Sequence, residues 1–167
     1  MPYYSQLGQD KWLIENLFNR KRNGFFVECG CSDCKKISNT YTLETEFGWD
    51  GIGIDILQNE IDKYNANRKA KGVCAVLSDV DGKSVEVICR GMVTGIYDET
   101  SISYVVQNKL NPQIQSQFLN TTTLSTVLNS FSIPDKIDLL LVDVEGHEVN
   151  YPSLKGGASK NRNRARP

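Results

Sequence analysis

Three short apolar runs in this chain each close on an acid: Phe25-Phe26-Val27-Glu28, Ile52-Gly53-Ile54-Asp55 and Leu139-Leu140-Leu141-Val142-Asp143. Runs that are apolar at successive positions read as strands buried on both faces, as in a parallel sheet. The stretches between them carry a helical period. Leu13/Leu17 and Ile14/Phe18 stand four apart, which predicts a helix over residues 10–19, broken by Asn23-Gly24. Ser38 is a candidate N-cap for a helix running to about Phe47, and Gly48 to Gly51 read as a turn. A polar helix is expected over 59–71, with Ile61 and Tyr64 facing inward. Val73 to Leu77 form a further apolar run that ends at Ser78-Asp79. Asp81-Gly82 reads as a hairpin-type turn into a strand over 84–89.

Residues 91–120 are rich in Ser, Thr, Asn and Gln and read as loops with one short strand. Leu124, Val127, Leu128 and Phe131 then give an amphipathic stripe, a helix stopped by Pro134. Ile137 to Asp143 is the last strand. Alternation of strand and helix predicts right-handed crossovers and an α/β doubly wound sheet with helices on both faces. Ligands of such sheets bind at the carboxyl edge of the strands. The three terminal acids therefore mark a candidate pocket for a ligand with hydroxyl donors and positive charge.

Composition narrows the class. The chain has 167 residues, 40% hydrophobic and 23% charged, as expected of one soluble globular domain. No apolar stretch approaches the roughly 18 residues needed to span a bilayer, and no basic-then-apolar leader opens the chain. A cytoplasmic location is the expectation. The five Cys, an odd number without a leader, read as free thiols. After Glu148 there are five bases and no acids, which leaves the body before them at −6 against −1 for the whole chain. An acidic body gives no support for a nucleic-acid surface.

The candidate chemistry sits at the strand ends. Glu28-Cys29-Gly30-Cys31-Ser32-Asp33 is the first strand-to-loop turn, and Gly30 lets the backbone approach a ligand closely. It lacks the Gly-x-Gly-x-x-Gly of a dinucleotide fold, and its acids would repel a pyrophosphate. S-adenosyl-L-methionine, a nucleoside with sulfonium and ammonium groups, suits it better. Asp55 is placed to accept the ribose hydroxyls. Ser78 and Asp79 are placed to border the adenine. Asp143-Val144-Glu145-Gly146-His147-Glu148 surrounds the only His of the chain with acids, so Asp143, Glu145 and His147 are the candidate proton acceptors. No metal site is assigned. Cys29, Cys31 and Cys34 lack a nearby fourth ligand and read as small apolar fillers of a tight loop.

These segments resemble the FkbM-type family of S-adenosylmethionine-dependent methyltransferases. The resemblance rests on Ser5-Gln6-Leu7-Gly8-Gln9-Asp10, Phe26-Val27-Glu28-Cys29-Gly30, Ser38-Asn39-Thr40-Tyr41 with Leu43-Glu44, Gly48-Trp49-Asp50-Gly51-Ile52-Gly53-Ile54-Asp55, and Ile137 through Glu148. It implies a Rossmann-like class I methyltransferase sheet. It further implies that Glu28, Gly30 and Asp33 line the methionine end of the cofactor, that Asp55 holds the ribose, and that Asp143 and its followers stand beside the transferred methyl. The implied acceptor is a hydroxyl oxygen of a small molecule or sugar. Two departures stand out. Cys34 replaces the glycine expected after Asp33, which predicts an altered loop. The family continues beyond Leu154-Lys155-Gly156 with further strands, so the expectation is a methyltransferase-like domain over 1–154, truncated at its C-terminal end, and a basic disordered tail over 155–167. The alternatives are a non-catalytic remnant of that fold and, next, a nicotinamide-dependent oxidoreductase.

Overall fold

In a computed structural model of the chain, the described residues are 1–89, 95–96 and 115–143. The candidate residues Glu145 and His147, and the expected tail over 155–167, lie outside them. A parallel sheet of four strands runs in the order β3-β2-β1-β8, built from β1 (Phe25–Cys29), β2 (Asp50–Asp55), β3 (Lys71–Cys74) and β8 (Leu139–Val142). A second sheet in the order β4-β7-β5-β6 joins β4 (Val76–Leu77), β5 (Ser84–Cys89), β6 (Gly95–Ile96) and β7 (Gln115–Thr122). The helices are α1 (Gln9–Trp12), α2 (Tyr41–Phe47), α3 (Gln58–Asn67) and α4 (Leu124–Asn129).

Alternating residues of the central strands feed two separate cores. Phe26 and Leu139 join Leu13, Ile14, Leu43, Phe47, Ile61 and Tyr64 on the face covered by the turn after α1 and by α2 and α3. Val27, Cys29, Ile52 and Ile54 join Leu77, Val127 and Leu128 on the face covered by α4. The sheet is thus sandwiched by helices, as the pattern of apolar runs predicted. β2 presents glycine toward the first face. A Cβ on Gly53 would stand 2.7 Å from the Tyr64 ring, so its absence is what lets α3 lie close on the sheet.

Several elements differ from the pattern reading. The expected helix over 10–19 becomes π-helical after α1, over Leu13–Leu17, with Phe18 N–H donating to the Leu13 carbonyl. The wider turn rotates Leu17 out to 47% exposure, so it does not share a face with buried Leu13. The helix over 59–71 stops at Asn67, because Arg68 turns extended (φ −120°, ψ 149°) and the chain enters β3. The run Val73–Leu77 is not one strand. It divides at Ala75, with β3 pairing β2 and β4 pairing β7. Asp81-Gly82 does turn, with Gly82 at φ 76°, but β4 and β5 do not pair as a hairpin; both pair with β7. α4 ends at the Ser130 cap, short of Pro134.

Candidate functional site

The ladders set the geometry of the carboxyl edge. Cys29 of β1 is level with Ile54 of β2 and Val142 of β8. The next residue of each strand, Gly30, Asp55 and Asp143, therefore emerges at the same height. The three strand ends meet at one edge, but Gly30 rather than the expected Glu28 stands level with Asp55 and Asp143. Gly30 carries φ 82°, and its N–H and that of Cys31 both donate to the Ile54 carbonyl, at 2.8 and 3.1 Å. On the other side Asp143 N–H donates to the Cys29 carbonyl at 2.9 Å. A Cβ at Gly30 would lie 1.9 Å from the Asp143 carbonyl oxygen. Only glycine lets the end of β8 come this close to the turn. Ser32 (φ 42°) and Ile37 (φ 63°) also adopt the left-handed region in this loop. For a β-branched residue such as Ile37 that conformation is rare, and such strain gathers at functional loops. Cys34, where the resemblance leads one to expect glycine, has no positive φ and packs against the helix-face core.

The acids differ in setting. Asp55 is partly buried; its Oδ2 accepts Ser32 N–H at 2.8 Å and its Oδ1 accepts Leu57 N–H at 3.0 Å. Each oxygen keeps a lone pair for a further donor. Asp143 is exposed at the rim. Glu28 is different: it lies one residue before the strand end and is only 3% exposed, under the loop that leads to α2. Burial pushes its carboxyl up to about 7, against the Thr40 hydroxyl, the Arg68 charge and the Asn39 N–H, which favour the ionised form; Asp143 adds a further upward push. Asp33 is turned to its own loop, its Oδ1 accepting the N–H groups of Lys35 (2.9 Å) and Lys36 (2.6 Å). Ser78 and Asp79 leave β4, a strand of the second sheet, rather than a strand of the parallel sheet. Ser78 N–H donates to Thr122 O at 3.0 Å and its hydroxyl to Asp79 Oδ1 at 3.1 Å.

Residues that the sequence did not single out hold this edge together. The Arg68 guanidinium has no exposed side-chain surface. Its Nε pairs with Glu44 Oε2 at 2.9 Å, Nη1 donates to the Cys34 carbonyl at 2.9 Å, and Nη2 donates to Thr40 Oγ1 at 3.0 Å. The Thr40 hydroxyl in turn donates to Glu28 Oε2 at 2.7 Å. Glu44 also accepts the N–H groups of Lys69 and Ala70. Asp10, fully buried, accepts from Tyr4 N–H, Ser5 Oγ and Lys11 N–H and so ties down the N-terminal segment. Thr40, Glu44 and Asp10 all fall in segments that carry the family resemblance, and that was the available signal. Arg68 closes a polar helix, where a cation ordinarily reads as solvated.

Cys29, Cys31, Cys34 and Cys74 are free thiols. Cys29 and Cys31 are core side chains, and burial raises both, Cys29 to about 12. Neither has the thiolate character that redox or nucleophilic chemistry needs.

A family model described as the methyltransferase FkbM domain matches residues 38–167. The chain belongs to the FkbM methyltransferase family. The matched span takes in the Ser38–Glu44 segment, β2 with Asp55, and β8 with Asp143; β1 and the Gly30 turn precede it. The mixed α/β architecture with a parallel central sheet is consistent with the Rossmann-like sheet of a methyltransferase. No curated protein and no solved structure matches the chain. Among the described residues of this FkbM chain, no helix is long and apolar enough to cross a membrane.

Proposed function

We propose that the chain binds S-adenosyl-L-methionine at the carboxyl edge of its parallel sheet and transfers the methyl to a hydroxyl oxygen of a small molecule or sugar. The observation that carries this reading is the convergence of Gly30, Asp55 and Asp143 at one height around a turn that only glycine can make. The donor set suits the cofactor: carboxylates with spare lone pairs face hydroxyl and ammonium groups. Asp55 takes the ribose hydroxyls while its two backbone bonds hold its rotamer. The turn from Glu28 to Asp33 borders the methionine end, and Ser78 with Asp79 borders the adenine. When bound, the cofactor supplies an electrophilic methyl on a positively charged sulfur. The protein's contribution is chiefly alignment of acceptor oxygen with that methyl. One of Asp143, Glu145 and His147, which follow β8 in sequence, takes the acceptor proton. The methyltransferase-like domain extends over 1–154 in this reading.

Calorimetric titration with S-adenosylhomocysteine tests it. The chain should bind one equivalent, and Asp55→Ala should abolish binding while the thermal melt persists. Unchanged affinity in Asp55→Ala rejects the ribose assignment. Titration with reduced nicotinamide dinucleotide should show no saturable binding.

A further inference from the structure

Glu28, Thr40, Arg68 and Glu44 form one continuous buried chain of polar groups beneath the candidate site. Its members come from four places: β1, the residue before α2, the residue after α3, and α2 itself. The direction of its hydrogen bonds is forced. A guanidinium can only donate. Arg68 Nη2 donates to Thr40 Oγ1, so the single hydroxyl proton of Thr40 is directed away from Arg68, onto Glu28 Oε2. The same guanidinium grips the loop between Gly30 and α2 through the Cys34 carbonyl and, at 3.3 Å, the Ser38 hydroxyl. Three aromatic rings enclose it: Tyr64 at 4.6 Å, Tyr41 at 5.3 Å and Phe26 at 6.0 Å from its centre. A cation so enclosed has no solvent partner to turn to, so the orientation it imposes is fixed.

We propose that Arg68 is a positioning residue of the candidate site: through the Thr40 hydroxyl it keeps Glu28 an oriented acceptor under the Gly30 turn, and so favours its ionised form. The inference rests on the cofactor-binding reading for its consequence at the site, but the relay is a property of the apoprotein. Among the described residues, the titratable and charged groups around Glu28 are Arg68 and Tyr64 from the α3 side, Glu44 behind Arg68, Cys29 and Cys31 from its own strand and turn, and Asp143 from the end of β8. Of these only Arg68 is a cation. Remove its hydroxyl link, and only the Arg68 charge and the Asn39 N–H are left to oppose burial and Asp143, so the balance moves toward the protonated carboxyl.

The test is a carboxyl-carbon NMR titration of protein labelled at Glu, with the Glu28 signal identified by its loss in Glu28→Gln. Thr40→Val fills the same space without the hydroxyl, and Thr40→Ser keeps it. The Glu28 midpoint should lie near 7 in the native chain. It should rise by about one pH unit or more in Thr40→Val, the size expected for one lost charge-assisted bond. In Thr40→Ser it should stay in place. Arg68→Lys should raise it in the native background and shift it much less in Thr40→Val, because the effect passes through the hydroxyl. Equal midpoints for Thr40→Val and the native chain overturn the proposal, whether or not the Arg68 variant folds. Titration of the same proteins with S-adenosylhomocysteine separates the two claims. Affinity falling about tenfold per pH unit below each protein's own Glu28 midpoint supports both. Absence of binding at every pH rejects the cofactor reading, while the NMR midpoints decide the relay independently.

Discussion

Gly30→Ala tests the convergence of strand ends most sharply. Two costs add at this position. The first is conformational: φ 82° costs an L-residue about 1–2 kcal/mol. The second is steric. The new Cβ would meet the Asp143 carbonyl oxygen at 1.9 Å. Restoring an ordinary contact of about 3.4 Å needs a shift of roughly 1.5 Å in backbone, which breaks the Asp143 N–H bond to Cys29 and costs about 1 kcal/mol more before any loss of packing. The total is roughly 2–3 kcal/mol, a fall of about 4–12 °C in Tm for a chain of this length. Gly82→Ala is the matched control, with φ 76° and nothing within 4 Å of its Cβ. It should lose only the conformational part. Urea unfolding and thermal melts of both variants measure the difference. Equal destabilisation of Gly30→Ala and Gly82→Ala would refute the claim that the end of β8 presses on the turn.

Other outcomes follow from the same structure. The raised Glu28 carboxyl binds its proton more tightly in the folded chain than in the unfolded one, so its contribution to stability is complete below about 4.5 and is lost as pH climbs to about 7. That loss is roughly 3 kcal/mol, and Glu28→Gln, followed by urea unfolding between pH 4.5 and 8, should flatten it; parallel profiles would contradict the burial argument. Arg68→Ala leaves Glu44 buried without its cation and should cost about 3–5 kcal/mol. A loss under 1 kcal/mol in chemical unfolding would mean that the pair is solvated. Alkylation read by peptide mass mapping should modify Cys74, which is exposed, well before Cys29 and Cys31, which are buried and react only on unfolding.

The strands that build the central sheet were legible because they are apolar on both faces. Phe25–Cys29, Asp50–Asp55 and Leu139–Val142 each bury residues against helices on either side, and a run of apolar side chains is the direct trace of that. β7 left no such trace. Gln115–Thr122 is almost wholly polar and carries Phe118 at 71% exposure, so it is held by its ladder with β5 rather than by its side chains. Backbone pairing has no side-chain signature, and without β7 in view the division of Val73–Leu77 between two sheets could not be read. The π turn at Leu13–Leu17 escaped for a related reason, since a pattern spaced by four also suits a regular helix. The strand-end positions of Asp55 and Asp143 were legible from the apolar runs that they close. The burial of Glu28 was not legible in its run, because it depends on Thr40 and Arg68 arriving from distant parts of the chain.

The central claim is that three strand ends form one binding edge, and amide chemical-shift mapping with S-adenosylhomocysteine addresses it directly. Addition of the ligand to nitrogen-labelled protein should move the amides of Gly30, Cys31, Ser32, Leu57 and Asp143 together, with a common saturation curve. Amide shifts confined to β5 and β7, or absent at saturating ligand, would contradict it.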